Sequence, residues 1–131
     1  MRSVLMVAGA LLAAGLCAAS HGNPRFDYLL HCGGCHLEDG RGDPPEVPDL
    51  RVDLPYMIGF EEGRAYLVQV PGSAQAPISD GALADVLNWI IDTYNPELGG
   101  EFERFTAEEV EQHRAIRLLD PKRARAALWN D

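Results

Sequence analysis

Hydrophobic residues recur at the spacing of an α-helix through much of the chain. The longest such run follows Ser79, whose side-chain oxygen can cap the first turn of a helix. One face of this helix would carry Leu83, Val86, Leu87, Ile90, Ile91 and Tyr94. We expect the helix to end at Asn95, because a residue that precedes a proline, here Pro96, avoids helical backbone angles.

Shorter helices are predicted on both sides of this one. A first run of helical spacing begins at Pro24 and leads into a pair of cysteines, and a second covers residues 61–70 and ends at Pro71-Gly72, where a turn begins. Between them, residues 37–55 contain four prolines and predict a loop or strap.

Two further helix starts lie near the end of the chain. Thr106 and Glu109 have the spacing of a capping box, which indicates a helix of about a dozen residues. Asp120-Pro121 has the composition of an N-cap and first helical position. Since no strand pattern of any length appears, the sequence predicts an all-α fold.

The first residues resemble a cleavable signal peptide. Arg2 precedes an apolar stretch, residues 4–16, that is too short for a permanent membrane span. Small residues at positions 17 and 19 favour cleavage after Ala19, so we expect residues 1–19 to be removed and the protein to reach the periplasm without stable membrane insertion. Cys17 could instead carry a lipid, although the bulky Leu16 before it disfavours this.

The rest of the chain is one acidic unit, about 112 residues long, the size of a single small domain. In the whole sequence, acidic residues outnumber basic ones by 20 to 11, which gives a formal charge of −9. Removal of Arg2 with the signal peptide would make this charge about −10. This charge disfavours nucleic acid as a partner and favours a protein with a basic docking patch, although solvation alone would also account for it.

The segment Cys32-Gly33-Gly34-Cys35-His36 carries the most specific chemistry. Cysteines three positions apart present both sulfurs on one side of a turn, where each can form a thioether with a vinyl group of haem. His36 would then coordinate the iron from one face. We therefore expect one covalently bound haem c.

Three other roles for the cysteine pair are weaker. A thioredoxin-like redox pair would need a βαβ pattern, and a zinc site would need a second pair of ligands; the sequence offers neither. A disulfide between Cys32 and Cys35 would leave His36 without a role.

From about Pro24 to Tyr94 the chain resembles a class I cytochrome c. Beyond the haem motif, the resemblance rests on Pro48-Asp49-Leu50 and on the aromatic residue Trp89 in the long helix. It implies that the Pro48 carbonyl accepts a hydrogen bond from the His36 ring and that Leu50 packs on the haem. We accordingly expect a haem domain at residues 20–95 and a C-terminal helical extension, residues 96–131, packed on it.

The sixth iron ligand departs from the family pattern. In class I cytochromes a methionine normally lies in the turn before the C-terminal helix, and residues 70–77 contain none. Met57 is the one methionine after the signal segment, so it is the expected distal ligand, with packing in the haem pocket as its alternative role. His113 and an open iron are the other possibilities, whereas His31 lies beside Cys32 and is held near the proximal face.

These features predict an electron carrier with no catalytic residues. Its redox partners would be a periplasmic dehydrogenase and an electron acceptor. A five-coordinate haem protein with enzymatic or ligand-binding activity is the alternative, motivated by the missing methionine. A dedicated subunit of a redox complex, held by residues after Asn95, is a third possibility.

Overall fold

The computed structural model describes residues 22–129, and these form helices joined by short loops. The helices are α1 (Pro24–His31), α2 (Gly33–His36), α3 (Leu50–Met57), α4 (Glu61–Gln69), α5 (Pro71–Gln75), α6 (Asp80–Tyr94), α7 (Ala107–Arg114) and α8 (Pro121–Leu128), with a 3₁₀ turn at Pro96–Leu98. Within this range the only strand-like feature is one isolated bridge between Asp43 and Val47. The all-α fold is therefore confirmed.

The proposed signal peptide and its cleavage after Ala19 lie outside the described residues. Among the residues that are described, no helix is both long enough and apolar enough to cross a membrane.

Helix α6 forms the centre of the core, and its limits agree with the prediction. The Ser79 hydroxyl accepts a hydrogen bond from the Ala82 amide, 3.2 Å away, and the helix ends before Asn95. Helix α1 crosses α6, where the fully buried Tyr28 packs with its ring centroid 5.3 Å from that of Trp89 and 5.6 Å from that of Tyr94. This aromatic contact joins α1 to α6, the longest helix among the described residues.

The prediction of a loop throughout residues 37–55 is wrong over its last part, which forms α3. The Asp49 carboxylate accepts from the Arg51 amide at 2.9 Å and so caps the helix. Pro55 lies inside the helix and removes one backbone hydrogen bond. Burial of Leu50, Leu54 and Met57 on one face offsets that loss in a helix of only two turns.

Helix α7 packs on α4 and α6. Phe105 and Val110 are buried in the core, and the buried Arg64 guanidinium donates to both oxygens of Glu109 at 2.7 Å. Because Glu109 bonds Arg64, only half of the predicted capping box forms: the Thr106 hydroxyl accepts from the Glu109 amide at 3.2 Å. The helix has 8 residues, shorter than predicted.

Arg114, at the end of α7, holds the turn between α5 and α6. Its guanidinium donates to the Ile78 carbonyl and to the Asp80 carboxylate, each at 2.8 Å, and also to the Ala76 carbonyl. Helix α8 begins as expected, with the Asp120 carboxylate accepting from the Arg123 amide at 3.0 Å, and it packs on α4.

Candidate haem cavity

The cysteine motif forms a tight turn at the end of α1. The Cys32 amide donates to the Tyr28 carbonyl at 2.8 Å, and the His36 amide donates to the Cys32 carbonyl at 3.0 Å. Leu37 then takes a left-handed conformation, with φ at 63°, which turns the chain away from the motif. The motif is therefore held by helical hydrogen bonds at both of its ends.

Both motif cysteines are free thiols. Cys32 is partly buried and Cys35 is exposed. Burial, with smaller contributions from Asp27 and Cys35, raises the pKa of the Cys32 thiol to about 11, so this sulfur carries its proton at neutral pH. Neither thiol is engaged in a bond that would prevent its addition to another group.

The His36 ring is held by its Nδ1 atom. This nitrogen lies 3.1 Å from the Pro48 carbonyl oxygen, and since a carbonyl can only accept, Nδ1 carries the proton. Burial lowers the pKa of His36, against the opposing effect of the Pro48 hydrogen bond, so the ring is neutral at pH 7. The Nε2 lone pair is therefore left for a metal ion.

The loop that carries Pro48 depends on two glycines. Gly40 and Gly42 have φ angles of 76° and 61°, which other residues rarely adopt. A Cβ at Gly42 would lie 2.6 Å from the Pro48 carbonyl oxygen, and one at Gly40 would lie 2.8 Å from the Tyr94 ring. A side chain at either position would displace the loop from His36.

The motif opens onto a cavity of about 360 Å³. Besides Cys32, Cys35 and His36, its wall contains apolar residues from several helices and charged residues at a few points. The predicted pocket residues Pro48 and Leu50 both belong to this wall. The apolar part of the wall includes Val47, Leu54, Met57, Leu67, Val70, Leu87, Ile90 and Ile91.

Met57 also lines the cavity, with only 1% of its surface exposed. It ends α3, where α4 passes so closely that a Cβ at Gly63 would overlap the Met57 carbonyl oxygen. The structure thus brings the predicted thioether and the predicted imidazole to the same cavity. Packing and coordination are both compatible with this place.

The other histidines are divided between two places. His31 lines the cavity beside Cys32, as its neighbouring position implies. His113 does not; it lines a separate surface pocket with Arg64 and Glu109. Its place in the fold therefore gives no support to its role as an iron ligand.

Most of the cavity wall was not assigned to the site from the sequence, including its polar residues Glu46, Asp53, Tyr66, Lys122 and Arg125. Tyr66 belongs to the helix predicted over residues 61–70. Lys122 and Arg125 stand out in the sequence as basic residues in an acidic chain, but only tertiary contacts bring them to the cavity.

The residues fit a haem better than a bare metal ion. Within residues 22–129 no group of three or more His, Cys, Asp or Glu side chains could hold a metal ion, which disfavours the zinc alternative. The His36 imidazole, two thiols and a mainly apolar cavity together match a covalently attached, largely hydrophobic ring.

Comparison with known proteins agrees with this fit. No protein-family model matches the sequence. Two proteins from Thermus thermophilus, both named cytochrome c-552, are similar to it: one is 31% identical over 82% of this chain and 84% of its own length, and the other is 33% identical over 66% and 81%. The chain therefore belongs to the c-type cytochromes.

Proposed function

We propose that this protein is a class I, single-haem c-type cytochrome that carries single electrons between a periplasmic dehydrogenase and an acceptor. The observation that carries the proposal is the common cavity of Cys32, Cys35 and His36, with the His36 ring fixed by the Pro48 carbonyl at 3.1 Å. Membership of the c-type cytochromes makes this an electron-transfer protein with covalently bound haem c. The class, the compartment and the partners are the proposed part.

Each residue of the site has a distinct role in this proposal. Cys32 and Cys35 would attach the haem, and His36 would hold its iron through Nε2. The Pro48 carbonyl orients that ring and increases its basicity. The haem, when bound, supplies a one-electron couple between ferric and ferrous iron.

Met57 would supply the second protein ligand to the iron. Its burial and its place in the cavity wall support this role, and a thioether there would favour ferrous iron and raise the reduction potential. The surrounding aliphatic side chains exclude water, which also disfavours the more highly charged ferric state.

The remaining expectations belong to the same proposal. Residues 1–19 would direct export and be removed near Ala19, and periplasmic partners follow from that location. Residues 20–95 would form the haem domain and residues 96–131 its extension. Contacts of α7 and α8 with α4 and α6 support a bracing role for this extension.

The test is expression of the full-length chain in a host that matures c-type cytochromes. We expect one haem per chain that stays bound after denaturation, and a reversible redox titration with a slope of one electron. A Cys32→Ala/Cys35→Ala variant is the control and should retain no haem after denaturation. Wild-type protein without covalent haem would contradict the proposal.

A second function, ligand binding at an open iron position, is favoured by one observation. Residues 70–73 line the cavity in the segment where class I cytochromes place their methionine, and none of them has a sulfur or nitrogen side chain. If Met57 only packs in the wall, the iron would bind small molecules such as carbon monoxide.

A further inference from the structure

The charged side chains of the cavity wall are few. Apart from the histidines they are Glu46, Asp53, Lys122 and Arg125, and the rest of the wall is mainly apolar. Since haem is an apolar ring with two carboxylates, the propionates, its carboxylates belong where the wall is charged. Glu46 and Asp53 would repel the propionates, whereas Lys122 and Arg125 would attract them.

Both cations come from α8, in the C-terminal extension. Lys122 and Arg125 are three positions apart and therefore lie on one face of the helix, whereas Arg123 between them is exposed and does not line the cavity. The Lys122 side chain is 58% exposed although it lines the cavity, which places it at the mouth.

The same two cations tie α8 to the loop that carries Pro48. The Arg125 guanidinium donates to the Pro45 carbonyl at 2.6 Å, and the Lys122 ammonium pairs with Glu46. Helix α8 is also held to the opposite wall, because the Tyr66 hydroxyl donates to the carbonyl of its first residue at 3.2 Å. The helix thus spans the cavity mouth between two walls.

The acidic and basic side chains of the cavity wall balance one another before any propionate is present. Glu46 and Asp53 already offset the two cations, and burial raises the pKa of Asp53 although Arg125 opposes this. Two propionates would add two negative charges in a partly desolvated place. Lys122 and Arg125 are the Lys and Arg side chains of the cavity wall and could neutralise them.

We propose that α8 is a cationic latch for haem: Lys122 and Arg125 pair with the propionates, and these pairs hold the helix over the cavity. This inference rests on the proposed haem site. The C-terminal extension would then influence the reduction potential. Negatively charged propionates stabilise ferric iron, and cations next to them weaken that effect.

The test uses full-length haem-loaded protein and three single variants: Lys122→Gln, Arg125→Gln and the control Arg123→Gln. All three remove one positive charge from the same helix. The reduction potential is titrated against pH, since it falls as each propionate loses its proton. The other titratable groups of the cavity wall that could shift this titration are Glu46, Asp53, Tyr66, His31 and His36, and they are the same in all variants.

We expect Lys122→Gln and Arg125→Gln to lower the potential at pH 7 and to move the propionate ionisation upward by about one pH unit, with Arg123→Gln close to wild type. Arg125→Lys, which keeps the charge, should restore most of the wild-type titration even if the bond to Pro45 is lost. A merely structural role of Arg125 would change stability without moving this titration.

Identical titrations for the three glutamine variants would overturn the latch. That outcome differs from failure of the proposed function, which would show as absence of covalent haem in every sample, wild type included.

Discussion

The cavity has two kinds of wall, and they are built differently. On one side, α2 and the loop that ends at Pro48 present the reactive atoms, each fixed by a named polar contact such as the 3.1 Å bond from His36 to the Pro48 carbonyl. On the other side, α3, α4 and α5 present mainly aliphatic carbon, with Met57 as the single sulfur and Asp53 and Tyr66 among the few polar groups. In the proposed function, the motif wall would fix the haem and the apolar wall would set its reactivity.

The two walls also depend on different supports. The motif wall is stabilised locally, by α1 and by aromatic packing on α6. The apolar wall is stabilised by residues far along the chain, through Arg64 bound to α7 and Tyr66 bound to α8, although α8 also bonds the loop that carries Pro48. A change in α7 should therefore affect the apolar wall first, whereas a change in α8 should affect both walls.

Replacing Met57 with Leu tests the apolar wall and has the largest expected effect. The volume is nearly conserved, so the stability cost should stay under about 1.5 kcal/mol, while the proposed thioether ligand is lost completely. We expect the weak charge-transfer band at the red end of the ferric spectrum to disappear. Leu54→Met, one turn earlier in the same helix and also in the cavity wall, is the matched control and should leave the band in place.

Replacing Arg64 with Met tests the distant brace. The buried guanidinium bonds both oxygens of Glu109 and the Glu103 carbonyl, so its removal leaves a partly buried carboxylate unpaired and should cost about 3 kcal/mol of unfolding free energy. Chemical denaturation measures this loss. Arg104→Met is the control: its exposed pair with Asp92 should be worth at most about 1 kcal/mol. Equal losses of unfolding free energy in the two variants would show that the Arg64 contact does not specially stabilise the apolar wall.

Replacing Tyr28 with Phe tests the motif wall and has the smallest effect. The buried hydroxyl donates to the Leu37 carbonyl at 2.6 Å, next to His36, and its loss should cost about 1 kcal/mol. Burial, helped by the neighbouring Tyr94, raises the pKa of Tyr28 above its ordinary value.

The raised pKa of Tyr28 determines how stability changes with pH. Below about pH 10 the phenol is protonated in both the folded and the unfolded chain, and above it only the unfolded chain readily ionises. Stability should therefore fall as pH rises past about 10, and the fall should be less steep in Tyr28→Phe. An unchanged alkaline fall, measured by thermal unfolding from pH 8 to 11, would remove Tyr28 as its cause.

Local signals in the sequence predicted much of the fold. The caps Ser79, Thr106 and Asp120 can be recognised in the sequence because each accepts from an amide only three residues away. The contact between His36 and Pro48 was also expected, through the family resemblance. Helix α3 is not predicted from the sequence, because Pro55 lies inside it and three prolines lie shortly before it, while the burial that offsets Pro55 is a tertiary effect.

Distant pairings account for what the sequence did not predict at the site. Arg64 and Glu109 are 45 residues apart, and nothing in either local pattern points to the other. The cations of α8 reach the cavity for the same kind of reason: they meet residues up to 80 positions earlier in the chain. Hydrophobic periodicity shows which face of a helix is buried. It does not show which other part of the chain packs against that face.

The most direct test of the account is the ferrous spectrum of the intact protein before and after addition of carbon monoxide. An electron carrier with His36 and Met57 on the iron should be low-spin in both oxidation states, and its ferrous spectrum should not change with carbon monoxide. A high-spin spectrum that shifts on addition of the gas would contradict the carrier function and establish an open iron position instead.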